Sequence, residues 1–171
     1  WQSMIAFLSA AIVLSLACGP ICLPIFREKL KDIERPFKLP FPKLLSFLAF
    51  YVCNLMLQWT GWETVWKLEV AVALGILIFI SSHLLNKKTR NEKLHLKSFS
   101  WLIVYLILSG IVSYLGTFKG GTGHITMQMA FLVVAITSFI VFILAHKTAL
   151  SEKESKEIYY KLIQDHSSSK K

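Results

Sequence analysis

The sequence predicts an all-α integral membrane protein with five transmembrane helices, and three observations predict it. Residues 1–26 contain no Asp, Glu, Lys, Arg or His, and a helix needs about 20 apolar residues to cross the hydrocarbon of a bilayer. Of the 171 residues, 54% are hydrophobic and only 17% are charged, where soluble domains carry roughly a quarter. The Lys and Arg residues are also segregated: six of the nineteen lie in 27–43, five in 86–97 and six after His146. Positive blocks on alternate connections mark the loops that stay in the cytoplasm. A net charge of +9 would suit a nucleic-acid partner, but outside these blocks only Lys67 and Lys119 remain. No basic stripe is left to track phosphates, so the partner the composition implies is membrane lipid.

Residues 1–26 form the first membrane helix, running from outside to inside. Ser9, Ala10, Ala11, Ser15 and Ala17 permit close approach of a neighbouring helix. Pro20 and Pro24 each remove an amide donor and crowd an earlier carbonyl, which predicts a kink or an unwound final turn. The cytoplasmic loop 27–43 is basic and rich in proline, with the backbone before Pro36, Pro40 and Pro42 expected to be extended. Residues 44–85 form a membrane helical hairpin: 44–60 leads outward to a tight turn centred on Gly61, and Thr64 to Leu85 returns. Trp59, Trp62 and Trp66 gather at that turn, as aromatic rings do at headgroup level.

The second cytoplasmic loop, 86–97, leads to a second membrane hairpin at 98–146. Its first run, 98–118, carries Trp101 and Tyr105 near the inner end. The segment from Thr117 to Gly123 is expected to be a flexible outer turn, and His124 to His146 comes back inside. Residues 147–171 are a cytoplasmic tail. Within it Ser151-Glu-Lys-Glu154 fits a capping box, in which the first residue and the fourth satisfy each other's backbone donors, so a short surface helix is expected. The protein is thereby placed as multi-pass in the plasma membrane with its C-terminus in the cytoplasm.

Few residues offer chemistry. Cys18, Cys22 and Cys53 all lie in apolar runs without a neighbouring carboxylate, the setting of ordinary buried thiols. The histidines at 83, 95, 124 and 146 are spread over both faces of the bilayer, so neither metal nor cofactor is expected. Gly120-Gly-Thr-Gly123 lacks the lysine and hydroxyl of a phosphate loop and is read as a turn. No aspartate in the apolar runs can orient a histidine behind a serine, so no catalytic residue is expected and the chain does not read as an enzyme. Asn54 and Gln58, one helical turn apart, could bind a polar solute or bond neighbouring helices. Glu69 is the one acid well inside an apolar run. Intramembrane carboxylates mark ion or proton pathways, while a position near a helix N-terminus would also settle an anion there.

Leu16-Ala-Cys-Gly-Pro20-Ile-Cys-Leu-Pro24-Ile-Phe-Arg27, followed by Asp32-Ile-Glu34-Arg35-Pro36-Phe37-Lys38-Leu39-Pro40, resembles the amino acid–polyamine–organocation superfamily of permeases. In that family a Gly-Pro near the inner end of the tenth membrane helix precedes a basic segment and a Glu-Arg-Pro-Phe-type motif. The resemblance is specific over about residues 10–42 and extends loosely to about 85.

It implies a leucine-transporter-like inverted-repeat fold, of which residues 1–26 are the last core helix and the later helices are peripheral. The chain is then expected to be the C-terminal part of a longer one, as a start at Trp1 on the outer side also suggests. The implied function is secondary active transport of an amino acid or amine by alternating access, with proton coupling as an option and homo-oligomers allowed. Family members bind substrate on broken first and sixth helices, so no substrate residue carries over. Trp1, Gln2, Ile5, Phe7 and Leu8 would stand beside the outer gate, and Glu69 is the candidate coupling carboxylate. The alternative is a self-contained five-helix anchor, assembly subunit or sensor. A single cysteine replacing Lys38 should react with an impermeant maleimide from the cytoplasmic side only; reaction from outside would invert the topology.

Overall fold

The computed structural model describes residues 1–31, 33, 39–85 and 96–168. They form six helices, and among the described residues there is no strand. Four of these helices are long and apolar enough to cross a membrane: α1 (Gln2–Lys29), α3 (Trp62–Leu85), α4 (Leu96–Leu115) and α5 (Met127–Thr148). The remaining long helix, α2 (Pro42–Trp59), carries Lys43, Asn54 and Gln58 and is not among those four. At 1.5 Å per residue it is about 27 Å long. The tail folds as α6 (Glu152–Ser168). Its capping box forms as the spacing predicts: the Ser151 amide donates to Glu154 Oε2 at 3.0 Å, and the Glu154 amide to Ser151 Oγ at 3.4 Å.

The unwound turn expected at the prolines of the first helix is not formed. Helix α1 is continuous through Pro20 and Pro24 to Lys29, and the Leu30 amide still donates to the Phe26 carbonyl at 3.0 Å. Pro24 is itself buried, so packing of its ring offsets the missing donor. Helix α1 therefore enters the segment assigned to the first loop, and α2 begins before that segment ends. Residues 32 and 34–38, including the Glu-Arg-Pro-Phe stretch, lie outside the described residues, as does most of the second basic loop. Arg27 Nη1 donates to the Leu39 carbonyl at 3.2 Å, drawing the end of the connection onto the end of α1. Phe41 is left-handed, at φ 45° and ψ 56°, where an extended backbone was expected before Pro42. The chain must reverse sharply there, because Pro42 already holds the first-turn geometry of α2.

Helix α2 is the hub, touching α1, α3, α4 and α5. It packs chiefly on α1 and α5, while α4 pairs with α5 and α3 bridges α1 and α4. The core is built from Ala10, Ala17 and Ile21 of α1, Phe50 and Leu57 of α2, Tyr105 of α4, and Val141 and Phe142 of α5. Phe50 meets Tyr105 at 5.7 Å between ring centroids, and Phe47 makes edge contacts with Phe139 and Phe142. Of the small residues on the first helix, Ala10 and Ala17 are the buried pair, seven positions apart on one face. Helix α3 is peripheral: its buried residues are Thr64, Val65 and Leu68, all in its first two turns. Its later stretch exposes Val70, Leu74, Leu77 and Ile78, side chains suited to hydrocarbon rather than water.

Connections at one end of the bundle are bonded to each other. The Glu63 amide donates to the Lys119 carbonyl at 3.2 Å, joining the α2–α3 turn to the α4–α5 turn. The segment expected to be a flexible turn is pinned. The amides of Thr122, Gly123 and Ile125 donate to the carbonyls of Tyr114, Gly116 and Leu115, satisfying acceptors that the end of α4 would otherwise leave open. At the opposite end Lys43 pairs with Glu28 at 3.3 Å.

Gly61 sits at φ +83°, and a Cβ there would fall 2.6 Å from Lys119 Cβ. Gly61→Ala should therefore destabilise the bundle by about 1–3 kcal/mol, read as a lowered unfolding midpoint in detergent. Gly19→Ala, at a position with nothing within 4 Å, should not lower it.

Candidate functional site

Two polar features lie within the apolar bundle. In the first, Asn54 stands at the contact of three helices. Its Nδ2 donates to Ser138 Oγ on α5 at 2.8 Å, and its Oδ1 accepts from the Tyr105 hydroxyl on α4 at 2.7 Å. One turn on, Gln58 Nε2 donates to the Ser109 carbonyl on α4 at 3.1 Å. Asn54, Ser138 and Tyr105 are all at most 5% exposed. The cavity beside them is about 10 Å³, room for at most one water. An amino acid does not fit. Of the two readings open for Asn54 and Gln58, the geometry is that of interhelical bonding. Tyr105, placed by the sequence near the inner end of its helix beside Trp101, is buried midway along α4, and Trp101 packs against the core.

The second feature is Glu69. It lies two turns into α3, beyond the first turn to which the helix-dipole effect is confined. Its carboxylate is turned onto α4, with Oε2 2.6 Å from where a Cβ on Gly110 would stand. Only the absence of that side chain makes room. Glu69 Oε1 is buried without a hydrogen-bond partner, and so is Ser113 Oγ, one turn further along α4. An open cavity of about 490 Å³ borders the residue, walled by Trp62, Trp66, Val70 and Ala73. The carboxylate is thus held at an interhelical contact. The spacing of the sequence could not show this, because Gly110 is forty-one residues away.

The outer-gate candidates do not converge on either feature. Trp1, Gln2, Ile5 and Leu8 are exposed, and Phe7 packs against the core. With Ile12, Leu16, Leu23 and Phe26 the exposed residues continue as one stripe down α1, opposite the face that buries Ala10, Ala17 and Ile21. His124 Nδ1 lies 2.8 Å from Thr122 Oγ1 at one end of the bundle, while His146 Nδ1 donates to the Phe142 carbonyl at the other. His95 lies outside the described residues.

No family model matches the chain, and no solved structure does. Two curated proteins of Bacillus subtilis (strain 168) are similar along most of it. The aspartate-proton symporter is 32% identical over 151 residues, 88% of this chain and 29% of that protein. The glutamate/serine transporter AimA is 26% identical over 167 residues, 95% of this chain and 31% of that protein. The chain thus spans less than a third of the length of either relative. Both are amino acid transporters of the type that the Gly19-Pro20 and Glu34-Arg35-Pro36-Phe37 segments resemble. This chain is their homologue.

If the amide network fastens helices, Asn54→Ala and Tyr105→Phe should each destabilise, and together by less than their sum. The coupling expected is about 0.6 kcal/mol, and at most ~1.7, from a double-mutant cycle on unfolding in detergent. Strict additivity would show that the bond adds nothing.

Proposed function

We propose that this chain is the C-terminal portion of a secondary active amino-acid permease that works by alternating access. The observation that carries the proposal is similarity to two amino acid transporters over nearly the whole chain. In this reading α1 is the last helix of the inverted repeats, and α2 is a fifth span whose amides are tolerated because they are bonded inside the bundle. Substrate binds on helices outside this chain. The apolar stripe of α1 faces those helices, with Trp1, Gln2, Ile5, Phe7 and Leu8 beside the outer gate. The basic connections and the C-terminus lie in the cytoplasm, and the later stretch of α3, from Val70 onward, faces lipid or a second copy.

The names of the relatives suggest acidic amino acids and serine as the first substrates to try, with protons as the coupling ion. Glu69 is the residue of this chain suited to that coupling. A carboxylate in hydrocarbon is costly, and taking up a proton removes the charge. The proton would then alter a contact between α3 and α4 that no other side chain occupies at Gly110. The anchor or sensor reading has no observation of its own to favour it, since relatives that align along the chain are transporters.

The full-length protein in vesicles should take up labelled aspartate, glutamate or serine, faster with an inward proton gradient and not after a protonophore. Uptake of no amino acid in a broad panel would sink the proposal. Glu69→Gln should abolish gradient-driven accumulation while leaving substrate exchange without a gradient; unchanged accumulation removes Glu69 from the coupling.

A further inference from the structure

At the end of the bundle opposite the Gly61 turn, α1, α2 and α5 enclose a cavity of about 370 Å³. Its wall changes character along the helix axes. Toward the middle of the bundle it is apolar, from Ile25, Phe139 and Phe142. Toward the end it carries Lys29, Lys43 and Lys147 against the single acid Glu28. On α5 the change from Phe139 to Lys147 takes place over about 12 Å, the depth over which a phospholipid passes from acyl chain to headgroup. His146, between the two zones, holds its ring by donating Nδ1–H to the Phe142 carbonyl at 2.8 Å and leaves Nε2 without a partner. Glu28 engages Lys43 at 3.3 Å, so the three lysines leave an excess of positive charge facing the cavity.

We infer that this cavity binds one anionic phospholipid of the adjoining leaflet, its phosphate among the three lysines and its first methylenes against the phenylalanines. Basic pockets between membrane helices hold acidic headgroups in this way. The charge selects an anion, and the apolar lower wall selects an anion attached to a hydrocarbon chain over a free one. This site is separate from the substrate site proposed above. Under the proposed orientation the leaflet is the cytoplasmic one, but the binding chemistry does not require that.

The test is native mass spectrometry of the full-length protein titrated with phosphatidylglycerol or phosphatidylcholine. Wild type should retain one phosphatidylglycerol and no phosphatidylcholine. Each of Lys29→Gln, Lys43→Gln and Lys147→Gln should weaken retention about fivefold. Glu28→Gln, which removes the one opposing charge, should strengthen it, a gain that misfolding cannot produce. Retention unaltered in the triple lysine variant would overturn the inference. So would equal retention of phosphatidylcholine, or displacement of the lipid by millimolar inorganic phosphate. Maleimide labelling of Ser151→Cys in vesicles reads the orientation separately, and the uptake assay reads transport separately, so each reading can fail alone.

Discussion

Asn54 is the point at which three helices are fixed to one another. One amide group gives a hydrogen to Ser138 on α5 and receives one from Tyr105 on α4. Removing an amide from water costs several kcal/mol when nothing replaces its hydrogen bonds, so α2 can pack among its neighbours only in the register that supplies both partners. Apolar contact cannot fix that register by itself, because lipid tails solvate a leucine about as well as another helix does. The arrangement of α2, α4 and α5 thus depends on this junction. The aromatic contacts of Phe47 and Phe50 then fill the space around it.

The same rule accounts for the ends of the bundle. Carbonyls at the end of α4 are capped by amides of the following turn, and the Gly61 turn accepts the backbone of Lys119 against it because it has no side chain. At the far end Arg27 reaches a carbonyl of the first connection, and Glu28 meets Lys43. Helix α1 shows the opposite economy. Its two prolines forgo donors inside the helix, and the helix survives because Pro24 lies on the packed face while the residues around it stay in register with Ala17 and Ile21.

Glu69 departs from the rule. Asn54, Gln58, Tyr105 and Ser138 are each bonded to a neighbouring helix, whereas this carboxylate meets a glycine, and the Ser113 hydroxyl one turn away is also unbonded. A group left in that condition is a local cost to the fold, and such costs concentrate where a protein changes state. The contrast with Asn54 separates two uses of polarity within one bundle, one that fastens helices and one that leaves a contact able to change.

The sequence by itself determined that the chain is helical and apolar enough for lipid, where most of its helices lie, the capping box of the tail, and the resemblance that the two transporters bear out. These are local or periodic properties: an uncharged run, a block of lysines or a Ser-x-x-Glu spacing acts through neighbours in the chain. Only the tertiary structure decided that Tyr105 is interior, that Asn54 and Gln58 bond other helices, that α1 runs unbroken through Pro24, and that Glu69 abuts Gly110. Each depends on side chains tens of residues apart meeting at one depth, and the pairing of helices that brings them together leaves no period in the sequence.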